Sequence, residues 1–93
     1  MLSDEQARAF QRDGYVNGGL ALDEDKVEDL RSELARVIAD DGKPEIKQPV
    51  SLRNLSRDDA HPVYQIVNIW EASAPFYKLT SNAKIVEEIA QLT

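Results

Sequence analysis

The 93-residue sequence contains no cysteine and a single histidine, and each shortage removes a class of site. Without cysteine there is no disulfide framework and no thiolate metal site. With His61 alone, a site made of two histidines and a carboxylate cannot be completed within one chain. No apolar run approaches the roughly 20 residues that span a bilayer. The acidic start of the chain also lacks the pattern of a signal peptide, so we expect a cytoplasmic protein.

The composition is that of a soluble globular protein, with 42% hydrophobic and 30% charged residues and a net charge of −6. The negative charge is concentrated in residues 1–43, which hold eleven acidic and six basic residues. An acidic surface repels phosphate backbones and anionic lipid headgroups. We therefore expect neither nucleic acid nor a membrane as a partner, and interpret the acidic excess as a solvated helix face.

Two helices are predicted in the first half of the chain. Ser3 and Gln6 form a capping box at the start of the first helix, and Gly14 suits the left-handed position at its end. A short strand is predicted at residues 15–16, followed by a turn at residues 17–19. The second helix begins after Asp23 and carries an apolar stripe that indicates a core face, made of Val27, Leu30, Leu34, Val37 and Ile38. Its outer side carries the i,i+3 pairs Glu28–Arg31 and Glu33–Arg36.

The second half begins with a loop or linker predicted at about residues 43–62, a length typical of a functional loop or partial disorder. The segment from Val63 to Trp70 is rich in β-branched and aromatic residues and apolar on both faces, which favours a buried strand, although a buried helix has the same pattern. Ser73 is expected to cap a short helix through Leu79. Asn82 is expected to cap a last helix, whose apolar face consists of Ile85, Val86, Ile89 and Leu92.

Few residues are candidates for chemistry. His61 lies near Asp58 and Asp59 and would need a second histidine, for example from a symmetric dimer, to bind iron; the simpler interpretation is an exposed loop histidine. Ser56, Asp59 and His61 supply the residue types of a catalytic triad but are too close in sequence to align. Gly18-Gly19 lies outside any phosphate-binding motif. Three aromatic residues, Trp70, Phe76 and Tyr77, either line a ligand pocket or pack in the core.

The predicted elements also lack partners. Two short strands do not make a stable sheet by themselves. Helices with narrow apolar stripes need another surface to cover those stripes. The pattern predicts an α+β, mainly helical, partial domain over residues 1–93 that belongs to a larger unit.

An ordered set of segments resembles the phytanoyl-CoA dioxygenase family. The first is the helix and turn of Leu2–Gln6 and Phe10–Val16, with Asp13-Gly14-Tyr15 at its end. The second is the helix from Asp23 to Leu34, with a Leu-Arg-x-x-Leu register. Three later segments resemble the family in the same order, so that the likeness extends over essentially the whole chain: Gln65–Trp70, Phe76–Leu79 and Ile85–Leu92.

The resemblance implies a hydroxylase that uses Fe(II) and 2-oxoglutarate to oxidise a small-molecule substrate. It also implies that the helices and first strands flank a double-stranded β-helix, or jelly-roll, barrel that would follow this chain and act as its partner. The family holds iron with a His-x-Asp/Glu pair and a distant histidine. Because His61 is followed by Pro62-Val63, it does not match that motif, and no catalytic, cofactor-binding or metal-binding residue is assigned to this chain.

The family is one of enzymes, but this chain lacks the family's iron ligands and is expected to be inactive by itself. The alternative is a free-standing acidic helical module that binds another protein through its apolar stripes and has no catalytic role. A third hypothesis places a metal site across a dimer of His61.

Overall fold

A computed structural model describes residues 1–93 and contains four α-helices and one two-stranded antiparallel sheet. The mixed, mainly helical class predicted from the sequence is thereby confirmed. No helix is both long and apolar enough to span a bilayer. In chain order the elements are α1 (Asp4–Asp13), α2 (Glu24–Ala39), β1 (Ser51–Asn54), β2 (Tyr64–Val67), a 3₁₀ turn (Ile69–Glu71), α3 (Ala74–Leu79) and α4 (Ala83–Leu92).

Every α-helix begins at the capping residue that the sequence predicts. The hydroxyl of Ser3 accepts from the N–H of Gln6 at 3.1 Å, and the Gln6 side chain accepts from the N–H of Ser3 at 2.8 Å, which completes the capping box. The side chains of Asp23, Ser73 and Asn82 cap α2, α3 and α4. These caps satisfy N–H groups that a helix leaves without partners in its first turn.

The strand predicted at residues 15–16 is wrong, because this segment is irregular. Gly14 ends α1 with φ of 82°, and its N–H donates to the carbonyl of Phe10 at 2.8 Å. Beyond it, the Asn17 side chain accepts from the N–H of Gly19, and the Gln6 side chain donates to the carbonyl of Asn17. The segment forms side-chain-to-backbone hydrogen bonds of the kind that compete with a strand ladder.

The segment predicted as a loop at residues 43–62 contains a strand, β1, which pairs with β2. Leu52 lies opposite Ile66, and Arg53 lies opposite Gln65. The strand predicted from Val63 to Trp70 is confirmed only over Tyr64–Val67, and it is largely exposed instead of buried. It ends because Asn68 adopts a left-handed conformation with φ of 56°, which turns the chain into the 3₁₀ turn.

Few of the apolar side chains are buried. Leu2 and Val37 are the buried hydrophobic residues, with 6% and 3% of their surfaces exposed. On the predicted core stripe of α2, Leu30 and Ile38 are half-buried, whereas Val27 and Leu34 are exposed. The radius of gyration is 16.9 Å, against about 12 Å for a compact domain of this length. The chain is extended, measuring 48 × 28 × 24 Å, and leaves most of its apolar faces uncovered.

Two polar connections join distant parts of the chain. The side-chain amide of Gln91 on α4 accepts from the N–H of Leu2 at 2.8 Å and donates to its carbonyl at 3.1 Å. On the other side, the buried hydroxyl of Ser73 donates to Glu33 on α2 at 2.7 Å and also caps α3. The first connection holds α1 against α4, and the second holds α3 against α2.

We expect Ser73→Ala to destabilise α3 locally, because it removes both the cap and the bond to Glu33. The opening free energy of the α3 amides, measured by hydrogen exchange, should fall by about 1–2 kcal/mol. Ser81→Ala is the matched control, since the Ser81 hydroxyl is exposed and bonds only to the nearby carbonyl of Lys78. Equal protection of α3 in both variants would show that Ser73 does not anchor this helix.

Candidate functional site

The loop between β1 and β2 contains most of the residues that the sequence singled out for chemistry. Asn54 closes this loop, because its side-chain oxygen accepts from the N–H groups of Ser56 and Val63, each at 3.0 Å. The backbone N–H of Leu55 also donates to the carbonyl of Val63 at 2.7 Å. The loop is therefore held at its base by hydrogen bonds, and its tip is exposed to solvent.

His61 contacts one of its two candidate carboxylates. Its Nδ1 lies 2.8 Å from Oδ2 of Asp58, and 85% of the histidine side chain is exposed. The hydrogen bond from His61, together with one from the N–H of Ala60, lowers the pKa of the Asp58 carboxyl below its ordinary value. Asp59 makes no ion pair or hydrogen bond with His61. The pair lies on an open loop, and the simpler interpretation of His61 as an exposed loop residue agrees with this geometry.

The triad suggested by Ser56, Asp59 and His61 is not assembled. The hydroxyl of Ser56 accepts from the N–H of Asp58 at 3.0 Å and donates to the carbonyl of the same residue at 3.1 Å. It thus forms a local turn, and His61 is bonded to Asp58 instead of to Ser56. A nucleophile needs its general base within hydrogen-bond reach and in line. The loop brings the residue types together without that alignment.

The donors of this chain do not fit the iron set of the family that it resembles. That set requires two histidines and a carboxylate converging on one point, and the sequence has one histidine. No group of three or more histidine, aspartate and glutamate side chains is arranged to hold a metal ion. We therefore derive no step through iron or 2-oxoglutarate from the residues of this chain.

The most connected polar cluster lies between α2 and α3 and was not predicted as such. Arg36 donates through Nε to Glu33 at 2.8 Å and through Nη2 to the carbonyl of Ala72 at 2.8 Å. Glu33 accepts in addition from the hydroxyl of Ser73, which is 4% exposed. The sequence placed the Glu33–Arg36 pair on the solvent side of α2. The spacing correctly predicts the pair, but it carries no information about the two further partners, Ala72 and Ser73, which directly precede α3.

This cluster shifts the ionisation of Glu33. Hydrogen bonds from Arg36 first, and from Ser73 second, lower the pKa of its carboxyl from the ordinary value of 4.5. Both bonds favour the charged form more than burial opposes it. The cluster therefore couples the packing of α3 to the ionisation of one carboxylate.

Two open depressions border α3. In the larger, about 700 Å³, the rings of Trp70 and Tyr77 lie 6.0 Å apart with a 48° tilt between their planes, next to Lys47. The smaller, about 380 Å³, lies between α2 and α3 and is lined by Leu30, Leu79 and polar neighbours. Phe76 lines neither depression. Two of the three aromatic residues named from the sequence thus border a shared groove, which is open to solvent and shallow.

Comparisons with protein-family models, curated proteins and solved structures found no match to this chain. The features of this chain that bear on function are the resemblance carried by its residues and the surfaces that the structure leaves uncovered.

We expect the stability of the α2–α3 contact to fall in acid. Because the pKa of Glu33 is lowered on folding, its contribution is present above about pH 4.5 and is lost as the pH falls through the lowered value. Glu33→Gln should weaken the contact at neutral pH by about 1–3 kcal/mol and make the acid loss of Trp70 fluorescence shallower.

Glu28→Gln is the matched control on the same helix, because Glu28 and Arg31 form an exposed pair at 3.7 Å. Such pairs contribute little to stability, so this variant should follow the wild-type acid titration. An unchanged acid titration in Glu33→Gln would contradict the assignment of the contact to this carboxylate.

Proposed function

We propose that this chain is the N-terminal helical part of an Fe(II)- and 2-oxoglutarate-dependent dioxygenase similar to phytanoyl-CoA dioxygenase. Its role is to cover and support the jelly-roll barrel in which the chemistry takes place. The observation that carries the proposal is the set of apolar faces that this chain does not cover by itself. The resemblance of its helices and turns to that family supplies the identity of the covering surface.

The clearest uncovered face is on α4. Ile85, Val86 and Ile89 share one side of this helix, and all three are exposed, Ile89 to 55% of its surface. Burial of apolar surface contributes about 25 cal/mol per Å², so each such side chain loses a large part of its stabilising contribution while it faces water. Leu92, the next apolar residue on this face, is only half-buried. A face of this kind is typical of a helix that packs on another structure.

A second uncovered surface lies on the hairpin of β1 and β2. Tyr64 and Val67 on β2 are exposed, and neither strand packs extensively on a helix. An isolated two-stranded hairpin is marginally stable in water, and further strands or a helix are needed to stabilise it. The barrel of a dioxygenase would supply the missing apolar contacts against the faces of these two strands.

The residues of this chain would then act through packing. The caps at Ser3, Asp23, Ser73 and Asn82 define where each helix begins. The α2–α3 cluster and the Leu2–Gln91 pairing set the directions in which the helices point. Substrate hydroxylation coupled to decarboxylation of 2-oxoglutarate would take place in the barrel, and the substrate is a small molecule whose identity the barrel would determine.

A free-standing interaction module is the second candidate. The observation that favours it is the double hydrogen bond between Leu2 and Gln91, which ties the start of the chain to its last helix and joins them as one unit. In that case the faces of α2 and α4 would dock onto a different protein. The two candidates differ in what lies next to the exposed apolar residues.

The first test is the coding sequence itself. The dioxygenase proposal predicts that the frame continues beyond the codon for Thr93 into a strand-rich segment with His-x-Asp/Glu and a later histidine. The longer protein should then bind Fe(II) and 2-oxoglutarate in stoichiometric amounts. A stop codon with no such sequence in any adjacent frame would contradict the proposal and leave the interaction module.

A second test uses Ile89→Asp, with Glu87→Gln as the control on an exposed position of the same helix. In the longer protein, Ile89→Asp should lower the free energy of unfolding by about 2–5 kcal/mol, because it places a charge in a buried contact. In an autonomous module, the same change at an exposed position should stay within about 0.5 kcal/mol. Glu87→Gln should be neutral in both.

A further inference from the structure

The outer edge of β2 is free to accept another strand. We propose that it pairs with β2 of a second copy of this chain, in antiparallel orientation about a two-fold axis at Gln65, so that two hairpins form one four-stranded sheet. This inference concerns the association of the 93-residue chain and does not depend on the dioxygenase proposal.

The backbone of β2 has groups available for such pairing. The N–H of Leu55 bonds to the carbonyl of Val63, in line with the register that pairs Asn54 with Tyr64 and Leu52 with Ile66. In an antiparallel ladder, bonded and non-bonded pairs alternate. Asn54–Tyr64 and Leu52–Ile66 are therefore non-bonded pairs, and the N–H and C=O groups of Tyr64 and Ile66 point away from β1.

Apart from its short length of four residues, β2 carries none of the features that normally block an edge strand. Residues 63–70 contain no charged residue, no proline and no glycine. Charged side chains, especially lysine, prolines and bulges are the usual protection against edge-to-edge pairing. The edge strand β1, in contrast, carries Arg53 and follows the buried Pro49. The edge of β2 is thus less protected than that of β1.

The available groups select one register. Pairing Tyr64 with Ile66 of the partner subunit uses every outward group of both strands. A register centred on Tyr64 would oppose Ile66 to the partner's Pro62, which has no N–H. A register centred on Ile66 would oppose Tyr64 to the partner's Asn68, where the left-handed conformation ends the strand. The selected register places Gln65 opposite the partner's Gln65 as a non-bonded pair. The side chains of such a pair lie closer together than those of a bonded pair.

A second copy suits this edge because two identical β2 strands can pair without placing like charges opposite each other. The hairpin, residues 51–67, carries two basic residues, Arg53 and Arg57, and two acidic residues, Asp58 and Asp59, so it is less negative than the helices together. In the four-stranded sheet, the two Arg53 positions lie three strand spacings apart, about 14 Å. This distance exceeds the Debye length of about 8 Å at physiological ionic strength, so their repulsion is screened.

Sedimentation equilibrium of the 93-residue chain tests the proposal. The edge is short, so the expected association is weak, of the kind seen for interfaces below about 1,200 Å². The mass should rise with concentration from 10.4 kDa toward that of a dimer. Gln65→Glu should weaken the dimer roughly five- to tenfold, because it places two carboxylates opposite each other.

Arg53→Gln is the matched control, because it also lowers the net charge by one and changes the residue paired with Gln65 within the hairpin. It should leave the dimer intact. Gln65→Glu is not expected to unfold the hairpin, because the new carboxylate faces Arg53 across the existing ladder. Mixing the Gln65→Glu chain with a chain carrying Arg53→Gln and Gln65→Lys should restore association through opposite charges.

Three results would overturn the proposal. The first is a mass of 10.4 kDa at every concentration. The second is association that Gln65→Glu and Arg53→Gln change equally, including open-ended aggregation. The third is a mixture of the oppositely charged chains that stays monomeric, which would exclude the register centred on Gln65.

Discussion

The structure depends on how little apolar surface the chain can bury by itself. Leu2 and Val37 are the buried hydrophobic residues. They lie in different parts of the fold, with Leu2 beside α4 and Val37 on α2. Apolar burial is the main force that offsets the conformational entropy lost on folding. A chain with so small a core relies on hydrogen bonds to define its elements.

The hydrogen bonds have this defining role. Local caps set the start of each helix, and the two long-range connections set which helices lie together. A hydrogen bond of this kind contributes about 1 kcal/mol net, because water competes for the same groups. Bonds of that strength fix the directions of the helices, but they do not provide the stability that a buried apolar core would provide. The exposed faces of α2, α4 and the hairpin follow from this, and they are the common basis for the proposed barrel contact and for pairing through β2.

The parts of the fold that depend on local chemistry were predictable from the sequence, and those that depend on distant partners were not. Ser3, Asp23, Ser73 and Asn82 act within one turn of their own helices, so their roles are visible in the sequence. β1 was missed because Ser51–Asn54 is short and partly polar, and it forms a strand only by pairing with β2. The composition of Tyr15-Val16 favours a strand, but no partner strand lies beside it.

The same distinction applies to the candidate site. The shortage of histidine and cysteine can be seen in the sequence, whereas the hydrogen-bond partners of His61 and Glu33 are determined by the folded chain. Asp58, and not Asp59, contacts the histidine, and the N–H of Ala60 donates to the other oxygen of the same carboxylate. Spacing on α2 identified Glu33 and Arg36 as a pair, but Ser73 is 40 residues away from Glu33 in the sequence. Apolar stripes likewise show which face is to be covered and do not show what covers it.

The central claim is that the apolar faces of this chain are contact surfaces of a larger structure. Calorimetry of the isolated 93-residue chain, with 8-anilinonaphthalene-1-sulfonate binding measured in parallel, tests it most directly. The claim predicts strong dye binding to the exposed apolar faces, and a transition that is broad because few apolar contacts hold the elements together. A sharp two-state transition without dye binding would contradict it, because the chain would then be complete in its own packing.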